Sequence, residues 1–213
     1  MQDFFANCAT VLQKYGFSYL RGAGTTLLLA LVGTFFGCLI GFAVGALQTI
    51  PVDKQRDPVW KRVLLKILHI FLRCYVELFR GTPMIVQAVF IYYGLLQVFG
   101  IKMGMWQAGF FIVSINTGAY MAETVRGGIV SIDPGQTEGA KAIGMTHVQT
   151  MLHVILPQAI RNILPQIGNN FIINVKDTSV MFIIGFPDFF SAHRAAVGAS
   201  YPNTEEISNQ ELS

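Results

Sequence analysis

The stretch GAGTTLLLALVGTFFGCLIGFAVGALQTIPV, residues 22–52, contains no charged residue. A helix needs only about 20 apolar residues to cross a hydrocarbon core of about 30 Å, so this stretch predicts a transmembrane span. Within it, glycine recurs at every fourth position, at Gly33, Gly37, Gly41 and Gly45. This spacing places four missing side chains on one helix face, which favours a face for close helix packing over a chance result of glycine abundance.

The composition of the whole chain also indicates a membrane protein. Of the 213 residues, 53% are hydrophobic and 13% are charged, whereas soluble domains carry about 25% charged residues. The mean hydropathy is +0.50. An ordinary soluble enzyme, a disordered chain and a nucleic-acid-binding protein are therefore not expected. The cysteines lie far apart with no histidine at ligand spacing, so neither a metal site nor a cofactor is predicted.

Three further spans are predicted, at residues 83–99, 106–126 and 162–187, which makes about four in all. The segment 60–80 is different, because its polar residues recur every three or four positions along a helix. We interpret it as an amphipathic helix on the cytoplasmic side, with a tilted span that has one wet face as the alternative. The polar residues are Arg62, Lys66, His69, Arg73, Glu77 and Arg80.

The distribution of basic residues predicts the orientation, because Lys and Arg accumulate in cytoplasmic segments. Residues 51–80 and 126–161 together hold ten Lys and Arg, whereas the segments on the opposite side hold Lys14, Arg21 and Lys102. The N-terminus is therefore expected outside the cell. Residues 191–213 are polar and are expected to form a tail that spans nothing.

The polar segment between the third and fourth predicted spans, residues 127–160, is interpreted as a docking element. Gly144 and Pro157 predict a short helix, a glycine break and a second helix that proline ends or kinks. Such an element needs a partner that covers its apolar side chains. These are Ile143, Met145, Val148 and Leu152.

This segment resembles the EAA loop of ABC-importer permeases, the cytoplasmic coupling helix that contacts the ATPase subunit. The matching residues are Glu138, Gly139, Ala140, Gly144, Val154, Leu156 and Pro157. Gly139 replaces an alanine of the family pattern and Val154 replaces an isoleucine. Three further motifs resemble the polar amino-acid uptake branch of that family. They are ELFRGTP at 77–83, AYMAETVRGG at 119–128 and KDTS at 176–179.

The resemblance covers residues 18–190 and implies an all-helical permease domain over residues 1–190 in a bacterial cell membrane. It implies polar amino acids as substrates and no enzyme activity. The chain has no GxxxxGK[ST] phosphate loop, in keeping with ATP hydrolysis on a separate subunit. The implied partners are an ABC ATPase subunit, a second permease subunit, identical or different, and an external solute-binding protein.

Two alternatives accompany this interpretation. Family members continue into a fifth span, whereas residues 191–213 are polar here, so that span is expected to be missing. The chain would then be a truncated, non-transporting component that at most docks to the ATPase or to a full-length permease. A secondary transporter is less favoured, because no internal repeat is present.

Polar residues at membrane depth are candidates for the substrate path or gate. Asn116, Tyr120 and Glu123 share one face of the third span, and Arg126 follows one step further. Glu123 and Arg126 offer opposite charges to an amino-acid zwitterion, with an internal i, i+3 ion pair as the alternative. The remaining candidates are Asn170, Asn174, Lys176 and Asp177 in the fourth span, and Arg80 and Thr82 before the second. The fourth-span residues line the path or form a structural network, and Arg80 closes a gate or anchors to headgroups.

Overall fold

The computed structural model describes residues 2–51 and 58–200, and within these ranges every long element is a helix and no strand occurs. The predicted all-helical fold class is therefore confirmed. The helices are α1 (Gln2–Gln48), α2 (Val59–Gly81), α3 (Met84–Val89), α4 (Leu95–Phe99), α5 (Met105–Val130), α6 (Pro134–Ala142), α7 (His147–Thr150), α8 (Leu156–Asp177) and α9 (Phe189–Ser200). Single π turns join α3 to α4 and α7 to α8, and a 3₁₀ turn, Thr178–Ile184, continues α8.

Helix α5 is the central element, and it lies directly against the glycine face of α1. A Cβ atom added to any of the four glycines of that face would lie under 3.0 Å from an atom of α5. The α5 residues that it would meet are Val113, Thr117, Met121, Ala122 and Val125. The packing face predicted from the glycine spacing is therefore confirmed.

Two clusters of buried side chains surround α5. The first lies around its N-terminal half and consists of Leu29, Met84, Ala88, Ala108, Ile112, Val113, Met181, Ile184 and Phe186. The second lies around its C-terminal half and consists of Met121, Val125, Ile129, Ile155, Ala159 and Ile163. Because α5 contributes to both clusters, it connects α3 and the 3₁₀ turn at one end of the molecule to residues 127–160, here called the coupling segment, at the other.

Helix α2 reaches the middle of α5. The Tyr75 hydroxyl donates a hydrogen bond of 2.6 Å to the Ile115 carbonyl, and a Cβ at Gly118 would lie 2.8 Å from that hydroxyl. The helix then stops, because Thr82 precedes Pro83 and has an extended backbone. Because α2 and the following helix are bent by 111°, the amphipathic helix and the tilted span both stay predictions for residues 60–80.

Within the described ranges, one helix is long and apolar enough to cross a membrane alone, Val11–Gln48. Two further pairs of consecutive helices reach the length and apolar content of a span when each pair is taken together. They are Val59–Gly81 with Met84–Phe99, bent by 111°, and His147–Ile184 with Phe189–Ala199, bent by 55°. If each bent pair is one span, the described residues allow up to three spans. The count of four stays a prediction. Helix α5 covers the predicted third span, but its apolar side chains are interspersed with buried polar residues such as Ser114, Asn116 and Thr117.

Pro157 does not end the helix that contains it, although the sequence predicts that this proline either ends or kinks the helix. Proline lacks an N–H donor and clashes with the carbonyl four residues earlier. Here a π turn, Met151–Ile155, lies immediately before it, and the helix continues through α8 to Asp177. The wider turn accommodates the proline, so α7 and α8 form one nearly continuous rod.

The segment assigned to a polar tail begins with a helix instead. Residues up to Ser200 belong to α9, and residues 201–213 lie outside the described part of the chain. The Asp188 carboxylate caps α9 by accepting a 2.8 Å hydrogen bond from the Ser191 N–H. Helix α9 packs on α1 where Gly22 leaves room, since a Cβ there would lie 2.9 Å from the Phe189 Cα.

We expect Gly41→Ala to lower the free energy of unfolding by about 1–3 kcal/mol, because the new methyl group would overlap Met121 of α5. The matched control is Gly24→Ala on the same helix, where nothing lies within 4 Å. That variant should be neutral, or stabilising by up to about 1 kcal/mol through helix propensity. Unfolding in mixed detergent micelles measures both, and equal effects at the two positions would contradict the packing face.

Candidate functional site

A cleft of about 450 Å³ opens between the end of α1, the polar side of α2 and the C-terminal half of α5. Both α2 and α5 contribute charged side chains to its lining. The residues are Gln48, His69, Arg73, Val76, Glu77, Arg80, Glu123 and Arg126. The cleft thus gathers three of the predicted path residues, Arg80, Glu123 and Arg126, together with three further members of the polar stripe of α2, which are His69, Arg73 and Glu77.

Glu123 and Arg126 bind each other. The Arg126 Nε donates a 3.1 Å hydrogen bond to one oxygen of the Glu123 carboxylate, and a second guanidinium nitrogen bonds the other oxygen. Arg80 lies 4.0 Å from the same carboxylate, and its guanidinium stacks over the Tyr120 ring at 5.6 Å. The structure therefore shows the internal i, i+3 pair that was the alternative to a zwitterion site, with Arg80 as a third member.

Asn116 faces the break between α2 and α3. Its side-chain nitrogen donates to the Gln87 side-chain oxygen at 3.0 Å and to the Phe79 carbonyl at 3.2 Å. The Gln87 nitrogen in turn donates to the Thr82 carbonyl at 2.9 Å and to the Thr82 hydroxyl at 2.8 Å. Gln87 was missed by the sequence analysis, although a buried glutamine within the apolar stretch 83–99 is itself a signal.

Asn174 joins three helices. Its side-chain nitrogen donates to the Thr34 hydroxyl of α1 at 2.8 Å, and its oxygen accepts from the Thr117 hydroxyl of α5 at 3.1 Å. Asn170, one turn earlier, contacts the Met121 sulfur at 3.2 Å. Both asparagines are buried, at 3% and 5% exposure. These contacts favour the structural network over a path lining for this pair.

Lys176 and Asp177 lie apart from the charged cleft. Lys176 is exposed and borders a separate cavity of about 460 Å³ near the start of α9. Asp177 is half-buried at the end of α8. The structure therefore does not bring these two residues together with Glu123 and Arg126.

The coupling segment, residues 127–160, folds as a compact turn of helices. The Asp133 carboxylate caps α6 by accepting a 2.7 Å hydrogen bond from the Gly135 N–H. Gly144 has a φ of +86°, and the Met145 N–H reaches the Ala140 carbonyl at 3.1 Å. This is the Schellman arrangement, which requires a left-handed residue and therefore favours glycine at that position. Thr146 then caps α7 together with Gln149.

Three apolar side chains of this segment are exposed, and two of them, Val148 and Leu152, line a shallow cavity beside the end of α1. Ile143, Val148 and Leu152 are 79%, 63% and 54% exposed. Of the residues that match the EAA pattern, Glu138, Gly139 and Pro157 are also exposed, whereas Ala140 is buried. Leu156 is half-buried. The segment therefore presents an apolar surface with a rigid backbone, which is what a docking element needs. Among the described residues, no group of three or more His, Cys, Asp or Glu is placed to hold a metal ion.

Comparison with known proteins gives a family match and close relatives. Residues 60–197 match the family described as binding-protein-dependent transport system inner membrane component. The chain is 37% identical over 178 residues to the probable amino-acid permease protein YxeN of Bacillus subtilis, covering 81% of this chain and 76% of that protein. It is 35% identical to the glutamine transport system permease protein GlnP of Escherichia coli K12, covering 78% and 70%.

Solved structures agree on the fold. A crystal structure of an amino acid ABC transporter with histidines superposes with a TM-score of 0.78 at 35% identity, covering 90% of this chain and 83% of that one. An inward-facing structure of the MetNI methionine ABC transporter superposes with a TM-score of 0.69 at 22% identity, covering 92% and 88%. At that lower identity the second likeness shows the fold alone.

Replacing Asn174 with alanine should lower the free energy of unfolding by about 1–3 kcal/mol, because Thr34 and Thr117 would lose their buried partner. Asn169→Ala is the matched control, since Asn169 lies on the same helix but is exposed. Thermal unfolding of the purified chain in detergent measures both variants. A loss of amino-acid uptake with unchanged stability in Asn174→Ala would instead support a path-lining role.

Proposed function

The chain belongs to the family of binding-protein-dependent transport system inner membrane components, and we propose that it forms the translocation path of an ABC importer for polar amino acids. The relatives at 31–37% identity are named amino-acid, glutamine and arginine permeases. As a member of this family the protein is a transport subunit of the inner membrane and is not itself an enzyme. ATP hydrolysis belongs to a separate ATPase subunit.

The observation that carries this proposal is the coupling segment. Its backbone is held by a cap at each helix and by the left-handed Gly144, while Ile143, Val148 and Leu152 remain uncovered. An apolar surface of this kind on a polar segment needs a protein partner. We assign the ATPase contact to this surface and to the residues of the EAA pattern. These are Glu138, Gly139, Ala140, Gly144, Leu156 and Pro157.

The path is proposed to run beside α5. Asn116, Tyr120, Glu123, Arg126, Arg80 and Thr82 lie at or next to the charged cleft. In this arrangement Arg80, Glu123 and Arg126 act as a gate, because Arg80 of α2 contacts Glu123 and Tyr120 of α5 while Arg126 binds the same carboxylate. On α8, Asn170 and Asn174 hold the helices beside the path together, whereas Lys176 and Asp177 lie apart from the charged cleft and are not assigned to the gate. A second permease subunit and an external solute-binding protein complete the importer.

The coupling proposal predicts that Gly144→Trp abolishes co-purification of the ATPase subunit, because no side chain adopts a φ of +86° without strain. Ile143→Asp should do the same by placing a charge in the apolar surface, and Ile143 is 79% exposed, so folding should be unaffected. Gly127→Trp is the control, since Gly127 is exposed with nothing within 4 Å.

The measurement is the amount of ATPase retained on the tagged permease in mild detergent. Wild type and Gly127→Trp should retain similar amounts. Retention by Ile143→Asp at the wild-type level would show that the ATPase binds elsewhere.

The orientation with the N-terminus outside predicts opposite labelling of two positions. In a chain whose native cysteines are replaced by serine, Lys102→Cys should react with a membrane-impermeant maleimide in intact cells. Gly139→Cys, which is exposed in the coupling segment, should react only after the cells are opened. The reverse pattern would overturn the orientation derived from the Lys and Arg count.

A further inference from the structure

Helix α2 is covered by the bundle on one side only. Leu72 and Val76 are buried, and the His69 Nε2 lies 3.1 Å from the Leu47 carbonyl of α1. On the side away from the bundle, large apolar side chains are exposed along the whole helix. They are Val59, Trp60, Val63, Leu64, Ile67, Ile70, Phe71 and Leu78. A contiguous apolar face of this length marks a contact with another protein or with a membrane.

A row of basic residues borders this apolar face. Arg62, Lys66 and Arg73 share one side of α2, because they are separated by whole numbers of helix turns. Over residues 58–76 the sequence holds four basic residues and no acidic one. The row and the apolar face meet in a shallow cavity of about 700 Å³. Its lining sets Val59, Val63 and Ile70 beside the three cations.

The direction of α2 places this face along the membrane surface. Val59–Gly81 and Met84–Phe99 are bent by 111° at the break between them. With the predicted span 83–99 along the membrane normal, α2 runs closer to the plane of the membrane than to that normal. A helix in this position buries its apolar side between headgroups and acyl chains, while Lys and Arg reach the headgroups. Trp60, in the first turn of α2, has the amphipathic ring that is favoured at this depth.

From these features we propose that α2 is a docking surface for anionic phospholipids. The lipid phosphates lie against Arg62, Lys66 and Arg73, and the adjoining parts of the acyl chains cover the apolar face. Charge complementarity selects this occupant, because a phospholipid offers a phosphate and hydrocarbon within one molecule, at the boundary where the basic row meets the apolar face. Four basic residues on an amphipathic helix are also the pattern of anionic-lipid recognition. The assignment does not depend on which solute the protein carries.

Lys66 is the residue on which the test depends. Arg73 and His69 line both this cavity and the charged cleft, whereas Lys66 lines only the cavity on α2. Lys66 is exposed, so its replacement removes a charge from the docking surface without opening a cavity in the bundle. A change in lipid preference in Lys66 variants therefore belongs to the surface of α2.

The test is quenching of Trp60 fluorescence by brominated phospholipids in bilayers that contain the full chain. In a Trp106→Phe background Trp60 is the only tryptophan. The bilayers mix phosphatidylglycerol with phosphatidylcholine, and bromine is placed on one of the two lipids at a time. The two quenching curves give the preference of the site for the anionic lipid. We expect phosphatidylglycerol to be preferred in the chain with native α2.

Lys66→Gln should lower this preference by about fivefold, because one basic residue near an anionic lipid surface contributes about that factor. Lys66→Arg should retain the preference, since the charge stays at the same position. Lys141→Gln is the matched control. Lys141 is exposed on α6, so this variant loses the same charge away from α2 and should retain the preference.

The position of the bromine along the acyl chain measures the depth of α2. Phe71 is exposed on the same face as Trp60, and it lies about 16 Å further along the helix at 1.5 Å per residue. Phe71→Trp is made in a chain that also carries Trp60→Phe and Trp106→Phe. If α2 lies along the surface, shallow bromines should quench this indole and that of Trp60 most strongly.

Four results would overturn the proposal. Equal quenching by the two lipids would show that the headgroup is not recognised, and no quenching by either would show that protein covers the face. A loss in Lys141→Gln equal to that in Lys66→Gln would reduce the effect to net charge. Strongest quenching of Phe71→Trp by deep bromines would show that α2 enters the bilayer as a span.

Discussion

The close approach of α1 and α5 is the constraint on which the other contacts depend. Four glycines on one face of α1 remove the side chains that would hold the two backbones apart, and α5 fills that space with Val113, Thr117, Met121 and Val125. Without a hydrophobic driving force between helices in lipid, such packing and the hydrogen bonds that it permits supply the association energy. Helix α5 is then near enough to contact α2, α8 and the coupling segment at once.

Polar groups inside the bundle are mostly satisfied by this arrangement. Asn174 reaches α1 and α5 because those helices are already close, and Gln87 links Asn116 to the chain break at Thr82. Each of these networks removes the cost of an unpaired polar group away from water. The charged cleft is different, because Arg80, Glu123 and Arg126 contact one another there at partly exposed positions.

The coupling segment is continuous with α8, which packs in the centre of the bundle. The helix that begins at His147 passes through the π turn and Pro157 and continues as α8 to Asn174. The Asn174 network lies on that helix, where it joins α8 to both α1 and α5.

The sequence by itself determined the membrane class, the helical fold, the glycine face and the coupling segment, because each depends on local spacing: apolar run length, a four-residue glycine period and a capped helix around Gly144. It also placed Glu123 and Arg126 on one face, and left open whether they serve each other or a ligand. Only the tertiary structure decided that they form an internal pair with Arg80, that Gln87 joins Asn116, and that Ser191 to Ser200 continue α9. These outcomes depend on which helices approach one another, and partners far apart in the chain leave no periodic signal in the sequence.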